Sequence, residues 1–369
     1  MRQMLKKIFS IENKGDYKHI TIFGVNFKSF SPKERLNFIQ IHLETLDNKL
    51  SSPKFTYKFY PLEQFFPQNY FSSFCNKDLS EKYIKLTKGL DPYSTEILTK
   101  TLYRILQYGN WGQDTFLIDE KEYYELEKLM QICREIIKLS DELYVVNGHV
   151  VSGNIFCASA LYHKHFIDEV VDKQKILEND IIDAGAYIGD SALVLSPYTK
   201  GKIHSFEPEM RNFKKLKKTI DANSLKNVIP VKCGLGSEVC EKDFFVSDFD
   251  VTSSYNDDCI WSKEKSDNRE HVAITTIDKY VEENNIKIGL IKTDVEGFEQ
   301  ELLKGAINTI KRDKPVLMIS IYHTYDDFWN IKPLIESWNL GYTFTIRKPA
   351  SQDICCDLVL NAEVPVENT

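Results

Sequence analysis

Asp180-Ile181-Ile182-Asp183-Ala184-Gly185-Ala186-Tyr187-Ile188-Gly189-Asp190-Ser191 is the stretch of sequence that decides the fold. A short apolar run ends in a glycine turn, and the turn then opens a helix. This order is typical of the first strand-turn-helix unit of a nucleotide-binding α/β sheet. The glycines allow a tight bend and let a ligand lie against the main chain. The simpler alternative is an ordinary strand-to-helix turn in which an aspartate caps the helix.

The ligand of this turn is indicated by Asp183 and by the Gly185-x-x-x-Gly189 spacing. A carboxylate at the strand tip would repel the pyrophosphate of NAD but would attract a cation. S-adenosylmethionine carries a sulfonium and an ammonium group, so it suits this turn better than NAD. Two alternatives stay open: an NAD-dependent sugar oxidoreductase or epimerase on a similar sheet, and a non-catalytic scaffold of a glycan-assembly complex.

The composition is that of a soluble globular protein, with 42% hydrophobic and 27% charged residues. A net charge of -7 gives no electrostatic reason to expect nucleic acid or an anionic membrane as a partner. No stretch reaches membrane-spanning length, and the eight cysteines form no Cys-x-x-Cys pair. We therefore expect reduced cysteines and a cytoplasmic location.

The N-terminal half is predicted to be mostly helical. A small hairpin is expected from Tyr17 to Phe30, with Gly24 near its turn, and a helix from Ser31 towards Leu50. A further helix should begin at Asp91-Pro92 and stop at Gly109, and another should run from Glu120 to Leu139. These helices are also a candidate surface for self-association of the chain.

Three histidines precede the glycine turn: His149, His163 and His165. The last two are two positions apart, which does not put them on one face of a helix. Metal binding is one interpretation of this group, but packing or surface roles are favoured.

After the glycine turn, strand and helix patterns alternate. A second strand, Lys202 to Glu207, ends in an acid about twenty-four residues beyond Asp183, the distance at which a carboxylate reaches ribose hydroxyls. A helix from Met210 to Ala222 follows. A third strand then ends in Gly234-Leu235-Gly236, whose backbone could approach an adenine ring.

Ionisable residues mark the end of a later strand, Ile288 to Asp294. Lys292 and Asp294 share a face of this strand, and Glu296 follows at the turn. Such groups are costly to desolvate, so they must be paired, hydrated or functional. Lys292 paired with a carboxylate as a purely structural cap is the alternative.

The remaining segments complete the expected sheet. Phe249 to Glu270 is a polar insertion that fits a mobile flap or a solvated loop equally well. Pro315 to Ile321 is a continuous apolar run, which is typical of a strand covered on both faces. Two terminal strands, Tyr342 to Arg347 and Ile354 to Leu360, bring the total to about seven.

Several motifs together resemble the FkbM family of S-adenosylmethionine-dependent methyltransferases. The most specific is Lys292-Thr293-Asp294-Val295-Glu296-Gly297-Phe298-Glu299, continuing to Leu303-Lys304-Gly305-Ala306. The others are the glycine turn from Asp183 to Ser191, Phe206-Glu207-Pro208, Thr276-Ile277-Asp278, and Ser320-Ile321-Tyr322-His323 with Asp326-Asp327-Phe328-Trp329. The resemblance covers about Asp180 to Leu360. No family motif is found in the helical half.

The resemblance implies the class I methyltransferase fold. This is an α/β, Rossmann-like sheet of seven strands with helices on both faces, in which one strand near the edge is antiparallel. It would occupy residues 173–364 and be followed by a tail at 365–369. Ahead of it we expect a small β-hairpin segment at 1–30 and a mostly α-helical domain at 31–172.

The resemblance also implies an enzyme that transfers a methyl group from S-adenosylmethionine to oxygen. Its acceptor would be a sugar hydroxyl of a nucleotide-activated sugar or a surface glycan, and its process polysaccharide biosynthesis. The candidate cofactor-binding residues are Asp183, Gly185, Ala186, Tyr187, Gly189, Asp190, Ser191, Glu207, Gly234 and Leu235.

Direct SN2 transfer needs a base beside the methyl group, because a free hydroxyl is a weak nucleophile at neutral pH. The candidate catalytic residues are Asp294, His323, Glu296 and Lys292. We expect His323 or Asp294 to accept the proton, and Glu296 and Lys292 to orient the substrate or each other. A divalent ion at Asp294 and Glu296 is conceivable, but the spacing supplies no further ligand, so no metal site is predicted.

Overall fold

A computed structural model of the chain describes residues 9–14, 17–22, 25–27, 55–59, 66, 69–76, 78–153, 158–245 and 269–365. The chain divides into two units, Met1–Ser52 with Cys75–Lys77, and Pro53–Phe74 with Asp78–Thr369. In the first unit, three antiparallel strands form one small sheet: β1 (Phe9–Lys14), β2 (Tyr17–Ile22) and β3 (Val25–Phe27). The pairing of β2 with β3 confirms the predicted hairpin, and β1 was not predicted.

Some predictions lie outside the described residues. These are the turn at Gly24, the helix from Ser31 towards Leu50 and most of the polar insertion from Phe249 to Glu270. The boundaries at 30, 172 and 364 stay predictions.

As far as the structure describes it, the first part of the second unit contains short strands and four helices. Two small antiparallel sheets form here, β4 (Phe55–Lys58) with β5 (Thr115–Ile118), and β6 (Ile137–Lys138) with β7 (Leu143–Val146) and β8 (His149–Ser152). The helices are α1 (Tyr70–Ser73), α2 (Leu79–Thr87), α3 (Pro92–Trp111) and α4 (Glu120–Arg134). This part is mainly helical, as expected.

Helix α3 begins where predicted but ends later. The Asp91 side chain accepts a hydrogen bond from the Ser94 amide, which confirms the predicted cap. The predicted stop at Gly109 is wrong, because the helix continues to Trp111 and Gly112 ends it with a φ of 67°. Gly109 serves packing instead, since a Cβ there would lie 2.5 Å from the carbonyl oxygen of Phe71. The predicted end of α4 at Leu139 is also wrong, because the helix ends at Arg134.

The central sheet of the second unit has seven strands. In chain order they are β9 (Asp180–Ala184), β10 (Ile203–Phe206), β11 (Val228–Val231), β15 (Ile288–Thr293), β16 (Val316–Ser320), β17 (Thr343–Arg347) and β18 (Val359–Glu363). Their order across the sheet is β11-β10-β9-β15-β16-β18-β17. Only β18 runs antiparallel to its neighbours within this sheet. This confirms the expected arrangement.

Along the chain, the remaining elements precede or separate the strands of the central sheet. A third small sheet contains β12 (Gly234–Leu235), β13 (Cys240–Phe245) and β14 (Arg269–Thr275). The helices are α5 (Ala158–His163), α6 (Lys173–Glu178), α7 (Asp190–Leu195), α8 (Met210–Ala222), α9 (Ile277–Asn284), α10 (Glu299–Lys304), α11 (Ile307–Asp313) and α12 (Tyr325–Ser337). Two 3₁₀ helices are Lys164–Glu169 and Ser196–Tyr198.

Burial explains why the central strands read as continuous apolar runs. Every residue of β15 and β16 is buried, as expected for parallel strands covered on both faces. Burial of apolar residues also explains why the prediction of the last strand is wrong. Ile354 and Leu358 are fully buried, yet they belong to a loop in which Asp357 has a φ of 59°, so the predicted strand Ile354 to Leu360 is wrong and β18 begins only at Val359.

Candidate active site

A cleft opens at the carboxyl ends of β9, β10 and β15, where open α/β sheets bind ligands. The glycine turn forms one wall. Residues after β10 and β15, together with β12 and the residue before it, form most of the others. The lining residues are Ala184, Gly185, Tyr187, Phe206, Glu207, Pro208, Asn212, Cys233, Gly234, Leu235, Asp294, Val295 and Glu296.

The glycine turn lies directly against the end of β15. Gly185 has a φ of 74°, and a Cβ on it would lie 1.8 Å from the carbonyl oxygen of Asp294. The amides of Gly185 and Ala186 donate to the carbonyl oxygen of Phe206, at 3.1 and 2.9 Å. The turn is thus fixed to both neighbouring strands, and only glycine fits at position 185.

Asp183 is fully buried behind the cleft. Its carboxylate accepts hydrogen bonds from the hydroxyls of Ser191, at 2.8 and 2.9 Å, and of Ser205, at 3.0 Å. It also pairs with Lys292 at 3.3 Å. Ser205 was not predicted, although it lies directly beside Asp183 in the register of β10 with β9. Asp183 therefore organises the strand ends and does not line the cleft.

Lys292 is buried beneath the glycine turn. Its ammonium group donates to the carbonyl oxygen of Gly185 at 2.8 Å. Burial alone would lower the pKa of Lys292, but the charges of Asp183 and Asp294 outweigh this effect and raise it. Lys292 therefore stays charged and holds the turn.

Glu207 is the acid at the other side of the cleft. Its carboxylate accepts hydrogen bonds from the amides of Tyr187, at 2.9 Å, and Glu209, at 2.8 Å. Burial nevertheless raises the pKa of Glu207 to about 8. Glu207 is thus a fixed, cleft-facing carboxyl group whose charge changes just above neutral pH.

The other predicted cofactor-binding residues divide into two groups. Gly185, Tyr187, Gly234 and Leu235 line the cleft. Ala186, Asp190 and Ser191 are buried at the turn and the start of α7, and Gly189 packs against α8. Burial raises the pKa of Asp190 to about 6. These four support the turn from behind.

Three carboxylates surround the ring of His323, and we call these four side chains the histidine cluster. Nε2 lies 3.2 Å from Oδ1 of Asp294 and 3.8 Å from Oε2 of Glu296. Nδ1 lies 2.8 Å from Oε1 of Glu299. Only 4% of the His323 side chain is exposed, so Asp294 and Glu296 are the cluster members that face the cleft.

Glu299 and Tyr322 were not assigned roles from the sequence. The two carboxylate oxygens of Glu299 accept hydrogen bonds from the amides of Val295 and Gly297, each at 2.9 Å. The Tyr322 hydroxyl donates to Asp294 at 3.2 Å. Both residues stand inside the quoted motifs, which is the signal that could have identified them.

The charges in the histidine cluster are strongly coupled. Burial alone would lower the pKa of His323, but the three carboxylates raise it well above its usual value. Burial alone would raise the pKa of Asp294, but the contact with His323 and the charge of Lys292 hold it well below its usual range. Burial and the negative charges of Asp294, Glu299 and Asp357 raise the pKa of Glu296 to about 7, although the charge of His323 opposes them.

The sequence comparison identifies this part of the chain. Residues 183–345 match the model of the methyltransferase FkbM domain. This segment is an FkbM methyltransferase domain. Its cleft, glycine turn and histidine cluster all lie within the matched residues, and the resemblance stated above is confirmed.

Two curated proteins are similar to the chain. Hexuronic acid methyltransferase AglP of Haloferax volcanii is 31% identical over 138 residues, which is 36% of this chain and 53% of that protein. Methyltransferase 1 of Beauveria bassiana is 24% identical over 233 residues, which is 58% of this chain and 92% of that protein. The chain thus spans about half the length of the first relative and most of the second.

A solved structure shows the same fold. The methyltransferase FkbM from Methylobacillus flagellatus KT is similar with a TM-score of 0.50 and 21% identity, over 80% of this chain and 61% of that one. The FkbM domain here accordingly has the class I methyltransferase fold.

The histidines ahead of the FkbM domain do not form a metal site with one another. Among the described residues, the one group of three side chains close enough to share an ion is Asp294, Glu299 and His323. Burial and the charge of Lys292 lower the pKa of His165 to about 4, which keeps its imidazole neutral. None of the described helices combines the length and apolar character needed to cross a membrane.

Proposed function

We propose that the protein is an S-adenosylmethionine-dependent O-methyltransferase that methylates a sugar hydroxyl. The observation that carries the proposal is the cleft of the FkbM domain, with Glu207 at one side and Asp294 and Glu296 at the other. One side of the cleft would face the nucleoside part of the methyl donor and the other side its sulfonium. The name of the Haloferax volcanii relative, a hexuronic acid methyltransferase, supports a sugar acceptor.

The cleft residues suggest how the donor binds. The Glu207 carboxylate is suited to accept hydrogen bonds from ribose hydroxyls, and Gly234 and Leu235 leave backbone open to an adenine ring. Asp183 is buried behind the cleft and pairs with Lys292, whereas Asp294 lines the cleft and stays ionised, so we assign the attraction of the sulfonium mainly to Asp294.

The acceptor hydroxyl would attack the methyl carbon in line with the carbon–sulfur bond. The sulfur leaves with the bonding electron pair, and the hydroxyl proton must pass to a base. His323 is poorly suited because its raised pKa means that it already carries a proton at neutral pH. Asp294 is a weak base because its pKa is depressed. The role of Lys292 would be to position the turn, since it contacts backbone oxygens below the cleft.

Calorimetric titration with S-adenosylhomocysteine and with NAD tests the donor class. We expect binding of S-adenosylhomocysteine and none of NAD. The reverse result would favour a sugar oxidoreductase or epimerase, and binding of neither would favour a non-catalytic scaffold. Mass spectrometry of surface and lipid-linked glycans from cells with and without the gene would then identify the acceptor by a lost methyl group.

A further inference from the structure

The backbone at Glu296 is held in an unusual conformation. Glu296 has a φ of 56°, in the left-handed region that is unfavourable for a residue with a long side chain. Such residues persist only where the surrounding structure imposes the conformation, and they concentrate at functional sites. Gly297, which follows, has a φ of 91° and supplies the rest of the turn.

Glu299 holds the backbone of this turn through two hydrogen bonds. Its two carboxylate oxygens accept the amides of Val295 and Gly297, the residues on either side of Glu296. Glu299 is completely buried, so these hydrogen bonds are shielded from water. These two hydrogen bonds fix the backbone on both sides of Glu296, whose own side chain lines the cleft.

We propose that Glu296 is the base that accepts the hydroxyl proton, and that Glu299 is the positioning residue that aims it at the acceptor. This inference rests on the proposed function. As the acceptor oxygen bonds to the methyl carbon and the carbon–sulfur bond breaks, the proton moves to the Glu296 carboxylate. From there it is lost to solvent through the open cleft.

Burial, and then the charged groups around Glu296, give it a suitable proton affinity. Three acids face it: Asp294 from the end of β15, Glu299 from α10 and Asp357 from the loop before β18. Their negative charges oppose ionisation of Glu296 and so raise its pKa. His323, from the end of β16, acts in the opposite direction. The resulting pKa of about 7 lies between the lowered pKa of Asp294 and the raised pKa of His323. It is close to the value that favours proton transfer at neutral pH.

Kinetics with UDP-glucuronate and UDP-glucose as probe acceptors test the role of Glu296. We expect Glu296→Gln to lower kcat by roughly 10²-fold or more and to leave S-adenosylhomocysteine binding unchanged. Glu299→Gln should lower kcat less and shift the midpoint of the pH profile to lower pH, because it removes one of the negative charges that raise the pKa of Glu296. The control is Glu301→Gln, the same change on the same helix at a side chain that is 38% exposed, and kcat should not change. Wild-type kcat in Glu296→Gln would overturn the inference and leave the proposed function intact.

Two measurements need no acceptor. In protein with carbon-13 at the glutamate carboxyls, the resonance that disappears in Glu296→Gln should titrate near pH 7, and an ordinary midpoint near 4.5 would overturn the inference. Glu296→Gly should keep or raise the unfolding temperature, because glycine adopts the left-handed conformation without strain. A clear loss of stability would instead mark Glu296 as a structural residue. Failure of the wild type to bind S-adenosylhomocysteine would remove the proposed function itself.

Discussion

At the scale of single residues, the cleft depends on buried carboxyl groups whose ionisation is set by their surroundings. Glu207 has a pKa of about 8, so it is mostly protonated at neutral pH. If the ionised form binds ribose hydroxyls better, donor binding releases a proton and its affinity rises with pH. We expect the affinity for S-adenosylhomocysteine to increase by up to about tenfold per pH unit below pH 8 and then level off. Calorimetry of the wild type and Glu207→Gln from pH 6 to 9 checks this. Parallel pH dependence in the two proteins would contradict it.

The buried pair of Lys292 and Asp183 makes a separate prediction about stability. The two side chains are 4% and 0% exposed, so removing one partner leaves a buried charge without compensation. We expect Asp183→Asn to lower the free energy of unfolding by roughly 3 kcal/mol, measured by urea denaturation. The control is Asp141→Asn, which breaks the exposed pair with Lys138 and should leave the midpoint unchanged. Equal effects of the two substitutions would show that Lys292 finds other partners.

At the scale of elements, the glycine turn after β9 joins two strands through backbone contact. Gly185 and Gly341 both have a positive φ, at 74° and 84°, but only Gly185 has a neighbouring atom where a Cβ would stand. Gly341→Ala should therefore cost about 1 kcal/mol for the conformation alone. Gly185→Ala should cost about 1–3 kcal/mol more, because the end of β15 must move, and donor binding should be lost with it. Urea denaturation of both variants measures these losses in the free energy of unfolding. A similar loss in both would mean that the contact with Asp294 relaxes easily.

The elements that the sequence predicted correctly are those with local signals. The strands β9, β10, β15 and β16 are short apolar runs, and α8 has the predicted bounds, Met210 to Ala222. The errors at Gly109 and Ile354 arise from tertiary packing. A glycine packed closely against another helix looks like a helix end in the sequence, and a buried loop looks like a strand. The motif residues could be found from the sequence, but the hydrogen bonds from the amides on either side of Glu296 to the Glu299 carboxylate could not. That contact exists only once the turn after β15 has formed.

At the scale of the whole second unit, the helical part with α1 to α4 lies against an edge of the central sheet. The edge strand β17 donates its Ile346 amide to the hydroxyl of Ser94 at the start of α3, at 2.9 Å. Arg347 also donates to Ser94, at 2.8 Å, and pairs with Asp91 and Glu169. An edge strand has unpaired backbone groups, and α3 satisfies one of them here. These contacts join the helical part directly to the sheet, and we expect the two to unfold together.

Hydrogen exchange can test this coupling across the predicted boundary at residue 172. Arg347→Ala removes charged hydrogen bonds from a side chain that is 12% exposed. We expect amide exchange in both α3 and β17 to become roughly tenfold faster or more, because the two elements protect each other. The control is Arg312→Ala, whose side chain is 52% exposed and pairs with the adjacent Asp313, and it should leave α3 unchanged. If β17 alone exchanges faster in Arg347→Ala, then α3 is stable without the sheet. Residues 31–172 would then be a domain in their own right, because a helix that keeps its protection after losing this contact must draw its stability from within its own segment.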